Sequence, residues 1–198
     1  MSDIHIGVDV GLSKDKGTTI AIWRIGDRLD FRQIDHPDGH ILHRLRAFRN
    51  DINPIIEEAT GPESKHWLEA HICIEKPLYR LKGKSLNLIP LYMFLLDGIT
   101  AHNINARNVY EVEPAQLKKF VANHGQADKI KMVQCVQRHW GELLNIQGRD
   151  LTDDEADAIG LMMMAACLDD NFCGGGSANI EWTQYQLDVV EGITAYGG

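Results

Sequence analysis

The sequence predicts an α/β protein: a mixed five-stranded sheet, three antiparallel strands followed by parallel ones, flanked by helices. Three observations carry this. The first 35 residues contain three short runs of alternating or β-branched character separated by turn residues. From residue 41 the apolar spacing changes to that of a helix. Beyond it strand-like and helical runs alternate, as they do where crossovers bring strands into parallel. The order βββαβαβα, with further helices, is common to several α/β folds.

Each element has its own signal. Ile4-His5-Ile6-Gly7-Val8-Asp9 is a strand with Ile4, Ile6 and Val8 on one face and His5, Gly7 and Asp9 on the other. Residues 11–17 make a turn, TTIAIWR (18–24) a β-branched and aromatic strand, and RLDFRQID (28–35) a third strand of the meander. Ile41, Leu42, Leu45, Phe48 and Ile52 mark a helix expected to end near Asn53-Pro54. After a loop with Gly61-Pro62, residues 71–75 form a buried strand that Pro77, lacking an N–H, keeps from extending. Glu75 therefore ends its strand at the edge where ligand sites of open α/β sheets collect. Residues 85–103 read as a helix apolar on more than one side, and residues 108–113 as a fifth strand. Pro114 opens a helix to residue 122, where proline is tolerated. A turn at 123–129 leads to a helix over 130–140, and 145–151 is loop. Thr152 or Asp153 caps a last helix with acids in its first turn. Residues 1–170 form one domain, and 171–198 a Gly-rich linker and acidic C-terminal tail.

With 198 residues, 44% of them apolar and 24% charged, the chain has the composition of an ordinary globular protein. No basic leader with an apolar run behind it, and no bilayer-length apolar stretch, is visible; a cytoplasmic location and no membrane partner are expected. Cys73, Cys135, Cys167 and Cys173 show neither a CxxC pair nor zinc spacing and read as free thiols. The nine histidines form no HxH or HxxxH pair. Net charge is −8, unevenly spread: 9 Lys/Arg face 13 acids in 1–75, 10 face 4 in 76–138, and 1 faces 11 in 139–198. The basic central block is a candidate phosphate-binding surface; its alternative is a solvated basic face.

Four acids fall where elements would carry them together: Asp9, Glu75, Asp154 and Asp157. Clustered carboxylates repel one another, and hard divalent cations with oxygen ligands are the usual remedy. Two-metal phosphodiester hydrolysis needs such a set, and Mg²⁺ or Mn²⁺ suits all-oxygen ligands. Singly, each acid is more often a turn or capping residue, and Asp153 and Glu155 are assigned to capping and solvent. Asp154 and Asp157, three apart, share one helical face; Asp153 and Asp157, four apart, do so nearly as well, so Asp153 remains open as a ligand.

Here the chain resembles a known family. Gly7-Val8-Asp9-Val10-Gly11, Ile74-Glu75, the segment VEPAQLKKFVANHGQADKIKM (112–132) and Asp154-Glu155-Ala156-Asp157-Ala158 are together similar to RuvC-type Holliday junction resolvases, over roughly residues 4–168. The resemblance implies an RNase H-like fold, a homodimer, and paired nicking of four-way junctions with two Mg²⁺ per active site, Mn²⁺ substituting. It implies Asp9, Glu75, Asp154 and Asp157 as metal ligands. Lys118, Lys119 and Lys129 match basic residues near the scissile phosphate, Lys129 with a catalytic role, and Lys131 joins them in binding DNA; solvated helix surface is the alternative for Lys118 and Lys119. Leu78 and Tyr79 would insert at the junction, with Arg80, Lys82 and Lys84 on phosphates, and residues 85–103 would form the dimer contact. The chain departs from the family at Asn123-His124-Gly125, at Lys76-Pro77 and in its tail. Those departures point to a phage or mobile-element member acting in a bacterial cell or infected host, with forks and flaps added to its substrates.

Two further classes are weighed. Actin-like ATPases and sugar kinases also open with I-G-V-D-V-G but need a second phosphate loop and an adenosine site, and transposases with a DEDD set need an additional domain. Neither has room here. A branched-DNA-binding protein without catalysis is the remaining alternative.

Overall fold

A computed structural model describes residues 4–11, 17–24, 29–35, 41–60, 70–76, 92–93, 95–97, 108–172 and 180–193. Strands β1 (Ile4–Asp9), β2 (Thr18–Arg24) and β3 (Asp30–Ile34) precede helix α1 (Ile41–Thr60). Then come β4 (Ala70–Glu75), β5 (Val109–Val112), α2 (Pro114–Ala122), α3 (Lys129–Trp140), α4 (Asp153–Phe172) and α5 (Gln184–Val190). The sheet order is β3-β2-β1-β4-β5. β2 is antiparallel to β1 and β3, while β4 is parallel to β1 and β5. The meander and the parallel half are therefore both present.

The period-2 pattern of β1 divides the core. Ile4, Ile6 and Val8 join Ile20, Ile22, Ile72 and Ile74 beneath Phe48 and Ile52 of α1 and beneath Tyr92, Leu95 and Leu96. On the other face Ala21, Trp23, Cys73, Tyr110 and Val112 lie in a second core with α4, α2, α3 and the end of the chain. Residues 161–168 of α4 are at most 1% exposed, as a helix apolar on every side must be. Gly7 permits that burial: a Cβ there would lie 2.1 Å from the Ala158 carbonyl oxygen and 2.4 Å from the Met162 nitrogen. Gly160, on the outer side of α4, likewise leaves room for Leu117 and Val121 of α2. Gly7→Ala must push α4 off the sheet, and we expect a loss of about 3 kcal/mol of stability, read from the urea midpoint.

Two expectations are corrected. The first helix does not end at Asn53-Pro54 but runs through Pro54 to Thr60. Ile55, partly buried against the same core as Phe48 and Ile52, continues the apolar stripe beyond the proline. Pro54 itself is exposed, on the side where a carbonyl left without its helical donor meets water. At the other end, residues 180–193 of the acidic tail carry a helix and pack on the rest of the protein. Thr183 and Gln186 form a capping box for α5, and Val189, Val190 and Ile193 are buried in the α4 core. Trp182 packs on Phe120 of α2 with ring centroids 6.0 Å apart. The acidic composition of this segment lies on its outer face. α4 itself runs to Phe172, past the residue at which the linker was expected to begin.

Of residues 85–103, only 92–93 and 95–97 are described, and they are helical, with Tyr92, Leu95 and Leu96 buried and Met93 51% exposed. Cys73, Cys135 and Cys167 are buried thiols, while Cys173 lies outside the described residues. Among the described residues, no helix is long and apolar enough to cross a membrane.

Candidate active site

Parallel pairing of Val8 with Ile74 sets Asp9 and Glu75 one residue further on, side by side at the C-terminal ends of two central strands. Both face α4, because the alternation along each strand turns Ile6, Val8, Ile72 and Ile74 to the opposite core. The start of α4 is held over that edge by a capping box. The Glu155 N–H donates to Thr152 Oγ1 at 3.1 Å, and the Thr152 N–H donates to the Glu155 carboxylate at 2.9 Å. Arg149 pairs with Glu155 at 2.6 Å and lies over the Phe31 ring, 4.6 Å from its centroid. Thr152 is thus the cap. Glu155 serves it, and Asp153 forms an ion pair with Lys129.

The other two acids of that helix act on the strand acids. Burial raises the Glu75 carboxyl first of all; Asp157 and Asp154 push it further, while a hydrogen bond with Asp9 and the Lys118 ammonium pull it back. Asp157 is pushed up to about 7, chiefly by burial, then by the charges of Asp9 and Asp154 and against Lys118 and Lys129. Asp9, Glu75, Asp154 and Asp157 therefore occupy one electrostatic neighbourhood. The hydrogen bond between Asp9 and Glu75 joins the two strand acids directly.

The donor set is all oxygen, from acids on two strand ends and a helix start, and it fits a hard divalent cation by its chemistry. As their side chains stand, no three His, Cys, Asp or Glu groups among the described residues are gathered closely enough to hold an ion. Glu75 turns to Asp9 instead of both turning to a common point. The elements bring the right groups to one edge, and side-chain rotation has to complete the cage.

The lysines separate clearly. Lys118, half-buried on α2, is the cation with the larger influence on Asp157 and also acts on Glu75; Lys129 acts on Asp157 alone and more weakly. Lys129, at the start of α3, is two-thirds exposed and committed to Asp153. Lys119 and Lys131 are exposed, the Lys131 N–H donating to the Asp128 cap at 2.8 Å. Lys118 and Lys119, alike in sequence, differ in the structure, the first half-buried and the second exposed. Consecutive helical residues point about 100° apart, so only one of the pair can face the acids. Leu78, Tyr79, Arg80, Lys82 and Lys84 lie outside the described residues. A further pair, Lys76 with Glu111 at 3.6 Å, lies on the other face of the sheet, where Tyr92 Oη also donates to Glu111.

A mixed sheet of three antiparallel strands continued by two parallel ones, with a buried helix across its centre, is the RuvC/RNase H-like fold. Thermus thermophilus RuvC superposes with a TM-score of 0.61 at 15% identity, over 87% of this chain and 97% of that one. The same protein in complex with a Holliday junction substrate gives 0.60 at 16% identity, over 81% and 90%. At these identities the likeness is one of fold. No family model matches the sequence.

Proposed function

We propose that this protein is a Mg²⁺-dependent endodeoxyribonuclease that resolves four-way DNA junctions by paired nicks, and that it also cuts forks and flaps. The observation that carries the reading is the meeting of Asp9, Glu75, Asp154 and Asp157 at one sheet edge, with Asp157 raised to about 7 and Glu75 raised as well. Displaced carboxyls in one place are a mark of chemistry, since a merely structural surface would keep its acids apart. The RuvC-like fold narrows the chemistry, and a RuvC of this fold is known in complex with a Holliday junction. Asp9, Glu75, Asp154 and Asp157 would hold two Mg²⁺, Mn²⁺ serving in their place. Bound there, the ions would supply an activated water and stabilise the leaving oxygen.

The chain's own groups have distinct tasks. Asp9 on the central strand, hydrogen-bonded to Glu75 and acting on Asp157, would be a ligand alongside both the strand and the helix acids. Lys118 offsets the surplus negative charge of the cluster and would meet the scissile phosphate. Lys119, Lys129 and Lys131, with Arg80, Lys82 and Lys84, would track the flanking phosphates; Leu78 and Tyr79 would enter the junction. A homodimer is part of this proposal, because paired nicks on opposed strands need two sites. A phage or mobile-element origin and action in a bacterial cell belong to it too, supported by the departures at Lys76-Pro77 and Asn123-His124-Gly125.

The test is incubation of the purified protein with synthetic four-way junctions, forks and flaps, in Mg²⁺ and in EDTA. Paired nicks near the branch point in Mg²⁺, abolished by Asp9→Asn, are expected. Absence of nicks, or undiminished cutting by Asp9→Asn, overturns the proposal. Binding in EDTA with no cutting under any divalent metal converts it to a branched-DNA-binding protein. Lys118→Gln is expected to slow cleavage by about 10²-fold and to leave the salt slope of binding less changed than Lys131→Gln does, compared by single-turnover rates and by titration at several salt concentrations.

A further inference from the structure

The three elements that bear the acid site carry a second polar cluster at the opposite edge of the sheet. His5 precedes Asp9 on β1 by the same interval as His71 precedes Glu75 on β4, and that even spacing turns both histidines towards α4. His5 and His71 are register partners across the two strands. Asp169, near the far end of α4, meets both: His5 Nε2 lies 3.0 Å from Oδ2 and His71 Nε2 3.2 Å from Oδ1. A carboxylate only accepts, so each Nε2 carries the proton and donates. All three side chains are nearly sealed from water, 1%, 1% and 6% exposed. Trp23 packs against the His5 ring and Tyr110 stacks on His71.

Such a cluster is costly to bury and is a poor source of stability, because apolar side chains of like volume would do as well. Its attested use is to set register. α4 needs that service. Its buried stretch reads Leu161, Met162, Met163, Met164, Ala165, Ala166, Cys167, Leu168, flexible and small side chains that pack adaptably and specify position weakly. Close contact at Gly7 spans Ala158 to Met162 and fixes the half of the helix nearer the acids against the sheet. Asp169 lies roughly 10 Å beyond Met162 along the helix, and Asp157 roughly 8 Å before it.

We propose that His5, His71 and Asp169 are positioning residues for the acid site, clamping the far end of α4 so that Asp154 and Asp157 stand over Asp9 and Glu75. This rests on the nuclease reading for its kinetic consequence, though not for its geometric one. The directional pairs stop α4 from sliding by a helical step, a movement that would part the helix acids from the strand acids. Neither histidine nor Asp169 touches the reacting groups.

The decisive variant is the apolar triple replacement His5→Leu, His71→Leu, Asp169→Leu, with Asp169→Asn as the variant that keeps shape if the triple does not fold. We expect a thermal midpoint equal to or above that of wild type for the triple variant. Its kcat on a four-way junction should fall about 10²-fold, as for a reacting group displaced by 1 Å, with KM within about 2-fold. Mn²⁺ affinity, measured by electron paramagnetic resonance without DNA, should fall about 10-fold, the usual effect of losing outer support for ligands. A folded variant, triple or Asp169→Asn, with wild-type kcat and Mn²⁺ affinity overturns the proposal, even if its midpoint has dropped. A wild type that binds Mn²⁺ and cuts nothing defeats the nuclease reading and leaves the clamp to be judged on Mn²⁺ affinity alone. A wild type that binds no Mn²⁺ overturns both.

Discussion

Asp157→Asn is expected to make the protein more resistant to urea at pH 8 in EDTA while slowing junction cleavage in Mg²⁺ by at least about 10³-fold. The two effects have one cause. Asp157 is largely buried beside Asp9 and Asp154, and its carboxyl is pushed from the ordinary 3.8 up to about 7. At pH 8 it is ionised all the same. Holding that charge costs about 4 kcal/mol relative to the unfolded chain, from the size of the displacement. Asparagine removes the charge and keeps a polar group in partial burial, so roughly half of that cost, about 2 kcal/mol, should be recovered. What the substitution discards is an anionic ligand at the centre of the proposed metal site. Gains in stability from loss of a functional group are the ordinary signature of an active site. Urea unfolding in EDTA and single-turnover cleavage in Mg²⁺ measure the halves separately. An Asp157→Asn protein less stable than wild type at pH 8 would contradict the account of buried repulsion.

The strands were legible because their signals are local. In β1 the alternation of Ile4, Ile6 and Val8 with His5, Gly7 and Asp9 leaves one register, and the sheet has it. Among the acids, Glu75 stood out because it ends the otherwise largely apolar strand AHICIE. The rest depended on facts a linear reading does not contain. Pro54 looked like a stop because a proline in a helix costs a hydrogen bond; the stripe through Ile52 and Ile55 outweighs that cost only once the core beneath it exists. Thr152 and Asp153 were equal as caps until Glu155 closed the box with Thr152, which left Asp153 to Lys129. Residues 180–193 looked polar by composition, yet Val189, Val190 and Ile193 meet a partner, α2 and α4, that is distant in sequence. The histidine clamp did have a signal. His-x-x-x-Asp in β1 and His-x-x-x-Glu in β4 repeat one spacing on adjacent strands. A search for HxH and HxxxH within single segments passes over a pair that only the sheet brings together.

Wild-type stability should fall as pH rises from about 4 through about 7 in EDTA, and a divalent cation should remove most of that fall. Asp157, pushed up to about 7, keeps a proton in the folded state at pH values where the unfolded chain, with its ordinary carboxyl near 3.8, has released it. Its contribution to stability is therefore complete below about pH 4 and is drained as pH climbs through 7. Glu75 is raised too, and adds to the decline with the same sign. Most globular proteins lose stability towards acid over this range, so the opposite trend would single out this cluster. Mg²⁺ or Mn²⁺ binds the deprotonated acids and competes with protons, so its stabilisation should be small at pH 5 and large at pH 8. At about 100 times the dissociation constant it amounts to about 2.7 kcal/mol. Thermal midpoints across pH 5–8, with EDTA and with MnCl₂, give the two curves. Asp157→Asn supplies the control, because its midpoint in EDTA should vary less with pH than that of wild type. If wild type and variant give parallel curves in EDTA, the proton is not on Asp157. If the curves differ in EDTA and Mn²⁺ does not close the gap, the acids share a proton and no cation site, and the cluster is something other than a two-metal centre.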